Sequence, residues 1–442
     1  MVPWTYDNAA HLLRRSGFGA NRKDVEKAVR LGQAKAVEAV LKFRPSKSRY
    51  RGRDDLYRMQ RWWLLRMYKA KAPLAEKIAL FWHGHFATAN QKVENVRMMS
   101  NQNSLFRSMG TGKFRELLLE VSRDPAMILW LDNIYNVKGR PNENYAREIM
   151  ELFTLGVLDD QGQPNYSETD VREAARAFTG WSLGDRGQFE FHDYDHDHGT
   201  KTFLGLTGDL DGTDVVNLLA DRPRCARWIG ERLWTFFAYP APETAVVDAL
   251  AAAYTAADTE IEAVLRAMFL RDEFYSARAR AEQVTSPVEF VVGTIRAFDA
   301  RTNGWDLPYW TGSMGQELFN PPNVAGWPGG LSWMNSVTRL NRFEFAWALA
   351  AARGNDRELR MDVDRVLKDM PIGYDGADVV DRILQVAGPV QAPAEARAAL
   401  IAYMDTRNSG TVPFDPADPD HVDRKARGAV GLALTLAEAH LG

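Results

Sequence analysis

The chain has 442 residues, of which 45% are hydrophobic and 26% are charged, a composition typical of a soluble globular protein. Its length exceeds the size at which one hydrophobic core stops growing, so one large domain with a smaller lobe, or two domains, would be compatible with it. The formal net charge of −3 argues against a general nucleic-acid binder, because neutralising phosphates requires a basic surface, although local basic patches remain compatible with it.

Helical periodicity dominates the first 180 residues. Pro73 stands at the predicted start of one helix, a position that proline favours. Ser167 and Asp170 have the spacing of a capping box and predict the start of another helix. Residues 142–156, NENYAREIMELFTLG, predict a helix that ends at Gly156.

Two segments interrupt the helices. Residues 184–212 contain two β-like stretches, which predict an irregular insert with a small β-hairpin near residues 187–204. Residues 302–336 are rich in Gly, Pro, Asn and Trp and predict a long ordered loop, a feature that is more often functional than incidental. We therefore expect a mainly α protein, with a large multi-helix domain over residues 1–345 and a C-terminal helical region over residues 346–442 packed on it.

A predicted helix face carries Asn144, Glu148 and Glu151, and the spacing places the two glutamates side by side. Adjacent carboxylates repel, so they require a cation, a metal or a shared proton. Pairing with an arginine such as Arg147 or Arg172 would give them a structural role. Without such a partner, the pair would suit general acid–base catalysis.

Two histidines lie close together in FWHGHFATAN, residues 81–90. On a helix, His83 and His85 would diverge by roughly 200° around the axis. They could therefore share one metal only if Gly84 interrupted the helix. We expect one of them to pack in the core and the other to line a cleft.

The stretch FHDYDHDHGTKTFLG, residues 191–205, holds three histidines and three aspartates within seven residues. Imidazole and carboxylate groups are ligands for divalent metals. The spacing does not match an EF-hand, because Leu204 stands where the bidentate glutamate is needed. A looser calcium site would combine these aspartates with Asp209, Asp211 and Asp214 of GDLDGTD.

The stretch FNPPNVAGWPGGLSW, residues 319–333, contains the polar and aromatic side chains that a long loop can present to a ligand. Indole rings beside asparagines suit a carbohydrate cleft, through stacking and hydrogen bonds, and they suit a rigid buried loop equally well. The residues concerned are Asn320, Asn323, Trp327 and Trp333.

Six stretches occur in a specific order: HLLRRSGFG, FWHGHF, NENYAREIMELFTLG, YSETDVREAARAFTGW, HDHGTKTFLG and FNPPNVAGWPGG. Together they resemble the bacterial family known as domain of unknown function 1800, clearly over residues 8–345 and weakly in the helical tail. The resemblance implies a mostly helical fold and a bacterial source, with no settled activity.

The family pattern of His-Asp, one residue, Gly, one residue and Lys-Thr matches this chain at His196, Asp197, Gly199, Lys201 and Thr202. The resemblance therefore implies a shared role for those positions. The other acidic and histidine residues of this loop are weaker ligand candidates: His192, Asp193, Asp195 and His198. Many relatives carry an asparagine at the position of Gly84 and look exported.

Three functions are compatible with these residues. The first is a hydrolase of a glycan or another polar polymer, with Glu148 or Glu151 as general acid or base and His85 or His196 assisting. The second is a metal-dependent enzyme in which His83, His85, Glu148 and His196 supply the ligands of a divalent ion. The third is a non-catalytic binding or scaffold protein. The residues expected to contact the substrate are Asn144, Trp181, Asp197, Lys201, Asn320, Asn323, Trp327 and Trp333.

The first residues of the chain contain no apolar leader, and no run of 18 or more apolar residues occurs. We therefore expect no membrane-spanning segment and a cytoplasmic location, or a periplasmic or exported one if a leader has been removed. No nucleic-acid partner is expected. The single cysteine, Cys225, excludes an intramolecular disulfide and predicts a buried structural residue.

Overall fold

The computed structural model describes residues 2–44, 46–353, 359–388, 392–407 and 410–442. Helices make up 60% of it, and the strands form only small two-stranded sheets, so the predicted mainly α class is confirmed. No helix of the described residues is long and apolar enough to cross a membrane.

The N-terminal part is a series of helices whose first turns are capped by side chains such as those of Thr5, Asn21, Asp55 and Asn95. Its helices are α1 Tyr6–Arg15, α2 Arg22–Leu31, α3 Gln33–Leu41, α4 Leu56–Lys69, α5 Pro73–His85, α6 Asn90–Val93, α7 Val96–Met109, α8 Phe114–Ser122 and α9 Pro125–Trp130. Pro73 begins α5, as predicted.

Helix α5 is the central helix of this part, because ten of its 13 residues are buried. The buried set includes Glu76 and Lys77, which are neutralised by ion pairs. Glu76 pairs with Arg66 and with the buried Arg107, both at 2.8 Å, and Lys77 pairs with Glu289. The second pair joins α5 to a helix more than 200 residues later in the chain.

The predicted helix over residues 142–156 is α-helical only at its start, in α10 Asn144–Glu148. It continues as a π-helix, Ile149–Thr154, and the chain turns at Gly156, where φ is +75°. Helix α11, Glu168–Ala177, follows, and the predicted capping box of Ser167 and Asp170 is present.

The insert contains two hairpins rather than the one predicted. Strands β1 Trp181–Leu183 and β2 Phe189–Phe191 form the first, and β3 Lys201–Phe203 and β4 Leu206–Gly208 form the second. The second hairpin turns at Leu204 and Gly205, which both have positive φ, as a two-residue turn of type I′ requires. The sequence prediction missed it because the first turn residue is leucine, which rarely adopts that conformation.

The rest of the chain returns to helices, joined by short strand pairs. Its elements are α12 Gly212–Ala220, α13 Pro223–Phe237, α14 Thr244–Ala256, α15 Ile261–Phe269, α16 Ala277–Ala281, α17 Pro287–Ala297, β5 Arg301–Thr302, α18 Leu307–Ser313, α19 Ser336–Ala351, β6 Leu359–Arg360, α20 Val363–Val366, α21 Gly376–Ala387, α22 Ala394–Met404, β7 Thr406–Arg407, β8 Gly410–Thr411 and α23 Pro419–Thr435. Cys225 of α13 is fully buried, as expected.

The predicted division at residues 345 and 346 falls inside α19. The end of the chain is also tied back to the segment before α17, because the Thr285 N–H donates to the His440 carbonyl at 2.9 Å. The Gly442 N–H donates to the Gln283 carbonyl at 3.0 Å. The two-part organisation remains a prediction.

Candidate functional site

His83 and His85 are both buried, at 1% and 4% exposure, and α5 continues through Gly84. Neither imidazole lines a cleft. Nε2 of His83 accepts a hydrogen bond from the Phe319 N–H at 2.9 Å, and Nε2 of His85 lies 3.0 Å from the Phe153 carbonyl, to which it donates. Burial lowers the pKa of each imidazole to about 3, so both are neutral at physiological pH.

The partner of His85 explains why a histidine stands there. The carbonyls in the last turn of a helix have no intrahelical donor, and at the end of this π-helix side chains supply the hydrogen bonds. His85 donates to Phe153, and the indole N–H of Trp228 donates to the Leu152 carbonyl at 3.0 Å. His85 therefore supports the backbone of the π-helix.

The predicted metal ligand set of His83, His85, Glu148 and His196 is not assembled. The two α5 imidazoles bond to different backbone groups, and neither belongs to a cluster of three metal-ligating side chains among the described residues. The predicted role of His85 in catalysis also lacks support, because its ring is enclosed by aromatic neighbours. The physical reason is that α5 is a core helix.

The loop over residues 319–333 is held against α5. Asn320 accepts from the Gln91 N–H at 3.0 Å and donates to Glu317 at 2.8 Å, and the ring of Trp327 lies 5.4 Å from that of His83. Gly326 approaches the Gly84 carbonyl so closely that a Cβ atom would collide with it. These contacts favour the rigid-loop alternative over a carbohydrate cleft.

The three tryptophans predicted to bind substrate differ in exposure. Trp181 and Trp333 are buried, at 2% and 6% exposure, and Trp327 is half-buried. Trp181 packs edge-on against Phe178 and Phe189. The predicted stacking walls therefore have no open ring face at Trp181 or Trp333, because both complete the core beneath their loops.

Glu148 and Glu151 are half-buried, and neither has an arginine partner among the described residues. The structural pairing expected from the sequence is wrong, because Arg147 binds Glu143 and Glu168 while Arg172 donates to Thr169. Burial and the neighbouring Glu151 raise the pKa of Glu148.

Glu151 accepts a hydrogen bond from the Tyr166 hydroxyl at 3.2 Å. Burial and Glu151 raise the pKa of that phenol to about 12. Asn144 is exposed and donates to Asp132 at 3.3 Å. The result is a carboxyl pair in which one member holds its proton more tightly than a solvated glutamate.

The loop that contains His196 is anchored on one face of α11. Arg176 donates to Asp197 at 2.7 Å and to the Thr200 carbonyl at 3.2 Å. Glu173 accepts from the Thr202 N–H, and Asp170 accepts from the Leu204 N–H. Because residues three apart share a helix face, α11 presents a row of side chains that matches the loop backbone. Arg176 also lowers the pKa of Asp197 to about 2.

His196, His198 and Asp209 come together beside this anchor. Each offers one ligand atom, and the three atoms lie within 4.8 Å of one another. Nδ1 of His196 donates to the Thr179 carbonyl at 2.8 Å, so Nε2 carries the lone pair. Nδ1 of His198 lies 3.2 Å from Asp209. His196 is buried, whereas the side chains of His198 and Asp209 are 50% and 51% exposed.

Lys201 orients the carboxylate of this cluster. Its side chain is fully buried, and Nζ donates to Oδ1 of Asp209 at 3.1 Å, which leaves Oδ2 facing His198. His198 also lies 3.2 Å from Asp193 through its other ring nitrogen. Lys201 and Asp197, predicted to bind substrate, thus have protein partners, Asp209 for Lys201 and Arg176 of α11 for Asp197.

The looser calcium site is not formed. Asp211 and Asp214 cap each other's backbone at the start of α12, and Asp197 is paired with Arg176. Of the acidic residues of GDLDGTD, Asp209 alone reaches the histidines.

From the sequence we expect four stretches to converge on one cleft: residues 81–90, 144–151, 196–201 and 320–333. They meet only in part. Residues 81–90 contact residues 319–327 directly, and they contact the π-helix through His85 and Phe153. Within the described part of the chain, no hydrogen bond, ion pair or ring contact joins residues 196–201 to these three stretches. Convergence of all four on one cleft remains a prediction.

Residues 11–439 match the model of a family described as a protein of unknown function, DUF1800. The chain belongs to this family. The match includes the C-terminal helices, where the sequence resemblance was weak. No curated protein and no solved structure matches the chain.

Two residues of the candidate metal cluster of this DUF1800 protein, His198 and Asp209, were weak ligand candidates from the sequence alone. His198 lies outside the family pattern read from the loop, and Asp209 lies eleven residues further along. The β3–β4 hairpin brings them together, because Lys201 pairs with Gly208 across its two strands. A second acidic stretch directly after a predicted hairpin was the available signal.

Proposed function

We propose that this protein is a metal-dependent hydrolase of a polar polymer, with a divalent transition-metal ion held by His196, His198 and Asp209. The observation that carries the proposal is the convergence of these three ligand atoms within 4.8 Å. This set replaces the predicted one and keeps only His196 from it.

The surroundings of the three residues support a metal site in two further ways. The bond from His196 to the Thr179 carbonyl and the bond from Lys201 to Asp209 are the outer contacts that orient ligands in metal sites. Two of the three side chains are half-exposed, so an ion there would face solvent. Three protein ligands leave positions open for water and substrate, as in catalytic zinc sites.

Hydrolysis is the reaction class that such a centre serves best. A zinc-type ion lowers the pKa of its bound water to about 7 and thereby supplies hydroxide at neutral pH. The same ion polarises the carbonyl, phosphoryl or glycosidic oxygen of the substrate.

The first experiment measures metal binding directly. Metal-free protein is titrated with Zn²⁺ and with Mn²⁺ by calorimetry, and the ion content is measured after dialysis. We expect one tightly bound ion per chain. His198→Ala and Asp209→Asn should each weaken binding by at least about tenfold.

His192→Ala is the matched control, because it removes a histidine of the same loop that lies outside the cluster. Its affinity for metal should equal that of the unchanged protein. If His198→Ala binds metal as tightly as the control, or if no ion binds, the proposal is wrong.

A second candidate is a metal-independent hydrolase that uses Glu148 and Glu151. The specific observation is the raised pKa of Glu148 beside Glu151, without an arginine to neutralise either. Two carboxyls whose environments push their pKa values apart can act as acid and base.

A chelator distinguishes the two candidates once a substrate screen of glycans and esters yields turnover. Loss of turnover with a chelator, restored by Zn²⁺, favours the metal site. Turnover that survives the chelator but is abolished by Glu148→Gln, in a protein with an unchanged circular dichroism spectrum, favours the carboxyl pair.

A further inference from the structure

A strongly basic segment lies in a chain whose net charge is −3. Residues 42–71 contain eleven arginines and lysines and only two aspartates. The segment comprises the link from α3 to α4, helix α4 itself and the turn before α5. Because the rest of the chain is correspondingly acidic, the positive charge is concentrated in one region.

Two cavities are lined by residues of this segment, and a third adjoins them. The first, of about 850 Å³, shares Tyr50 and Gly52 with the second, of about 530 Å³. The second shares Asn95 and Arg97 with the third, of about 970 Å³. Cavities that share wall residues are neighbours, and we call the three adjoining cavities together the basic groove.

The walls of the basic groove contain fourteen arginines and lysines and four carboxylates. One of the carboxylates, Glu76, is already paired with Arg66 and Arg107. Several of the cations are exposed and make no hydrogen bond or ion pair with any described residue: Arg44, Arg51, Arg53, Lys69 and Lys71. The groove therefore has a surplus of positive charge that the protein itself does not neutralise.

Two of the aromatic rings that line the groove, those of Trp62 and Phe189, are covered by guanidinium groups. Arg66 and Arg107 lie over Trp62, at 5.4 and 5.5 Å from its centroid. Arg123 lies over Phe189 at 5.5 Å. Proteins that bind single-stranded nucleic acids stack bases on open aromatic faces. Because the covered faces of Trp62 and Phe189 are less open to bases, the groove favours an anionic chain that has no bases.

We propose that the basic groove binds an acidic polysaccharide, whose regularly spaced carboxylate or sulfate groups pair with its unneutralised arginines and lysines. Guanidinium groups suit such anions because they form charge-assisted, bidentate hydrogen bonds with them. The length of the groove, over three adjoining cavities, suits a polymer rather than a single anion.

This inference specifies the substrate class of the proposed hydrolase and rests on that proposal for its catalytic meaning. The third cavity ends at the β1–β2 hairpin, where Phe189 forms part of its wall. Two residues later in the same strand, the ring of Phe191 lies 5.3 Å from that of His196. An anionic chain in the groove would thus reach the hairpin that adjoins the metal cluster.

Binding is tested without turnover, by fluorescence anisotropy with labelled polygalacturonate and with labelled dextran sulfate at low salt. At least one of the two should bind, and the affinity should fall steeply as salt increases. Unlabelled neutral dextran should not compete. A variant without four groove cations should bind at least about tenfold more weakly. It carries Arg51→Gln, Arg53→Gln, Lys69→Gln and Lys71→Gln.

The control variant loses four exposed cations outside the groove, so its net charge equals that of the groove variant. It carries Lys23→Gln, Arg30→Gln, Lys35→Gln and Lys368→Gln. Equal weakening in both variants would mean that net charge, not the groove, attracts the polymer, and would overturn the proposal. Absence of binding to both polyanions would also overturn it, as would a clear preference for a single-stranded oligonucleotide of similar charge.

His198→Ala separates this inference from the proposed function. It should bind the polyanion as the unchanged protein does, because His198 is not part of the groove. Retained polyanion binding in a protein that binds no metal would leave the groove assignment standing and reject the metal site alone.

Discussion

Glu148 shows how strongly one residue depends on its surroundings. Burial and Glu151 raise its pKa, so the folded protein binds this proton more tightly than the unfolded chain does. The free energy of unfolding must then fall as the pH rises from the unfolded pKa through the folded one. At a pH above the folded pKa, the folded protein bears the full free-energy cost of the charged, half-buried carboxylate.

We expect Glu148→Gln to raise the free energy of unfolding at pH 7 by roughly 0.2–0.5 kcal/mol, the size of a like-charge repulsion on a helix. The gain should shrink at pH 4, where the carboxyl is largely protonated in both states. Urea denaturation at the two pH values measures it. Glu143→Gln, which removes a partner of Arg147, should give no gain. Destabilisation by Glu148→Gln at pH 7 would show that the carboxylate has an unrecognised favourable partner.

At the scale of the element, the π-helix is maintained by contacts from other helices. Its Leu155 N–H bonds to the Met150 carbonyl at 2.8 Å, the spacing of a π-helix. Two carbonyls of its last turn, which have no intrahelical donor, accept hydrogen bonds from His85 of α5 and Trp228 of α13. Because π-helices are rare and occur often at functional sites, the position of Glu148 directly before this one supports the second candidate function.

His85→Ala should lower the free energy of unfolding by roughly 3–5 kcal/mol, because it leaves a cavity of ring size and a buried carbonyl without a donor. His85→Gln should lose less, since its amide can still donate to Phe153. Chemical denaturation measures both. Equal losses in the two variants would mean that packing alone matters and that the hydrogen bond to the π-helix does not.

At the scale of the whole molecule, α5 links distant parts of the chain. Its buried Lys77 pairs with Glu289 of α17, and the charge of Lys77 together with that of Arg15 lowers the pKa of Glu289 to about 2. Burial lowers the pKa of Lys77 to about 8. Such a pair is costly to break, because the remaining charge stays buried.

Lys77→Met should therefore destabilise the fold by roughly 3–5 kcal/mol. The double variant Lys77→Met/Glu289→Gln should recover part of the loss, because glutamine keeps the capping position at α17 without the charge. Thermal and urea denaturation of the three proteins measure the effect. A double variant that is less stable than Lys77→Met would contradict this account.

Four buried histidines make stability sensitive to acid: His11, His83, His85 and His440. Burial depresses the pKa of each below the unfolded value of 6.5. As the pH falls below 6.5, the unfolded chain takes up protons that the folded protein refuses, so stability falls. Each histidine contributes up to about 1.4 kcal/mol per pH unit.

The free energy of unfolding should therefore decrease as the pH falls from 6 to 4. In His85→Gln this pH dependence should be weaker, because about one proton fewer is taken up on unfolding. Denaturation at a series of pH values gives both slopes. A stability that does not change over this range would show that the imidazoles are protonated in the folded protein.

The sequence by itself determined the local features of this protein. Pro73 marks a helix start because its fixed φ suits the first turn, and Ser167 and Asp170 mark another because their hydrogen bonds lie within one turn. Apolar periodicity predicted the mainly α class for the same reason, and the order of motifs indicated the family. Local chemistry also marked residues 191–205 as rich in metal ligands.

Only the tertiary structure decided which partner each polar side chain meets. Arg147 could have reached Glu151, but the position of α11 gives it Glu168. His85 could have faced a cleft, but the packing of α5 gives it the Phe153 carbonyl. Asp209 meets His198 because a tight turn folds β4 back on β3. Such choices depend on how distant elements pack against one another, and the spacing of residues along the chain does not contain that information.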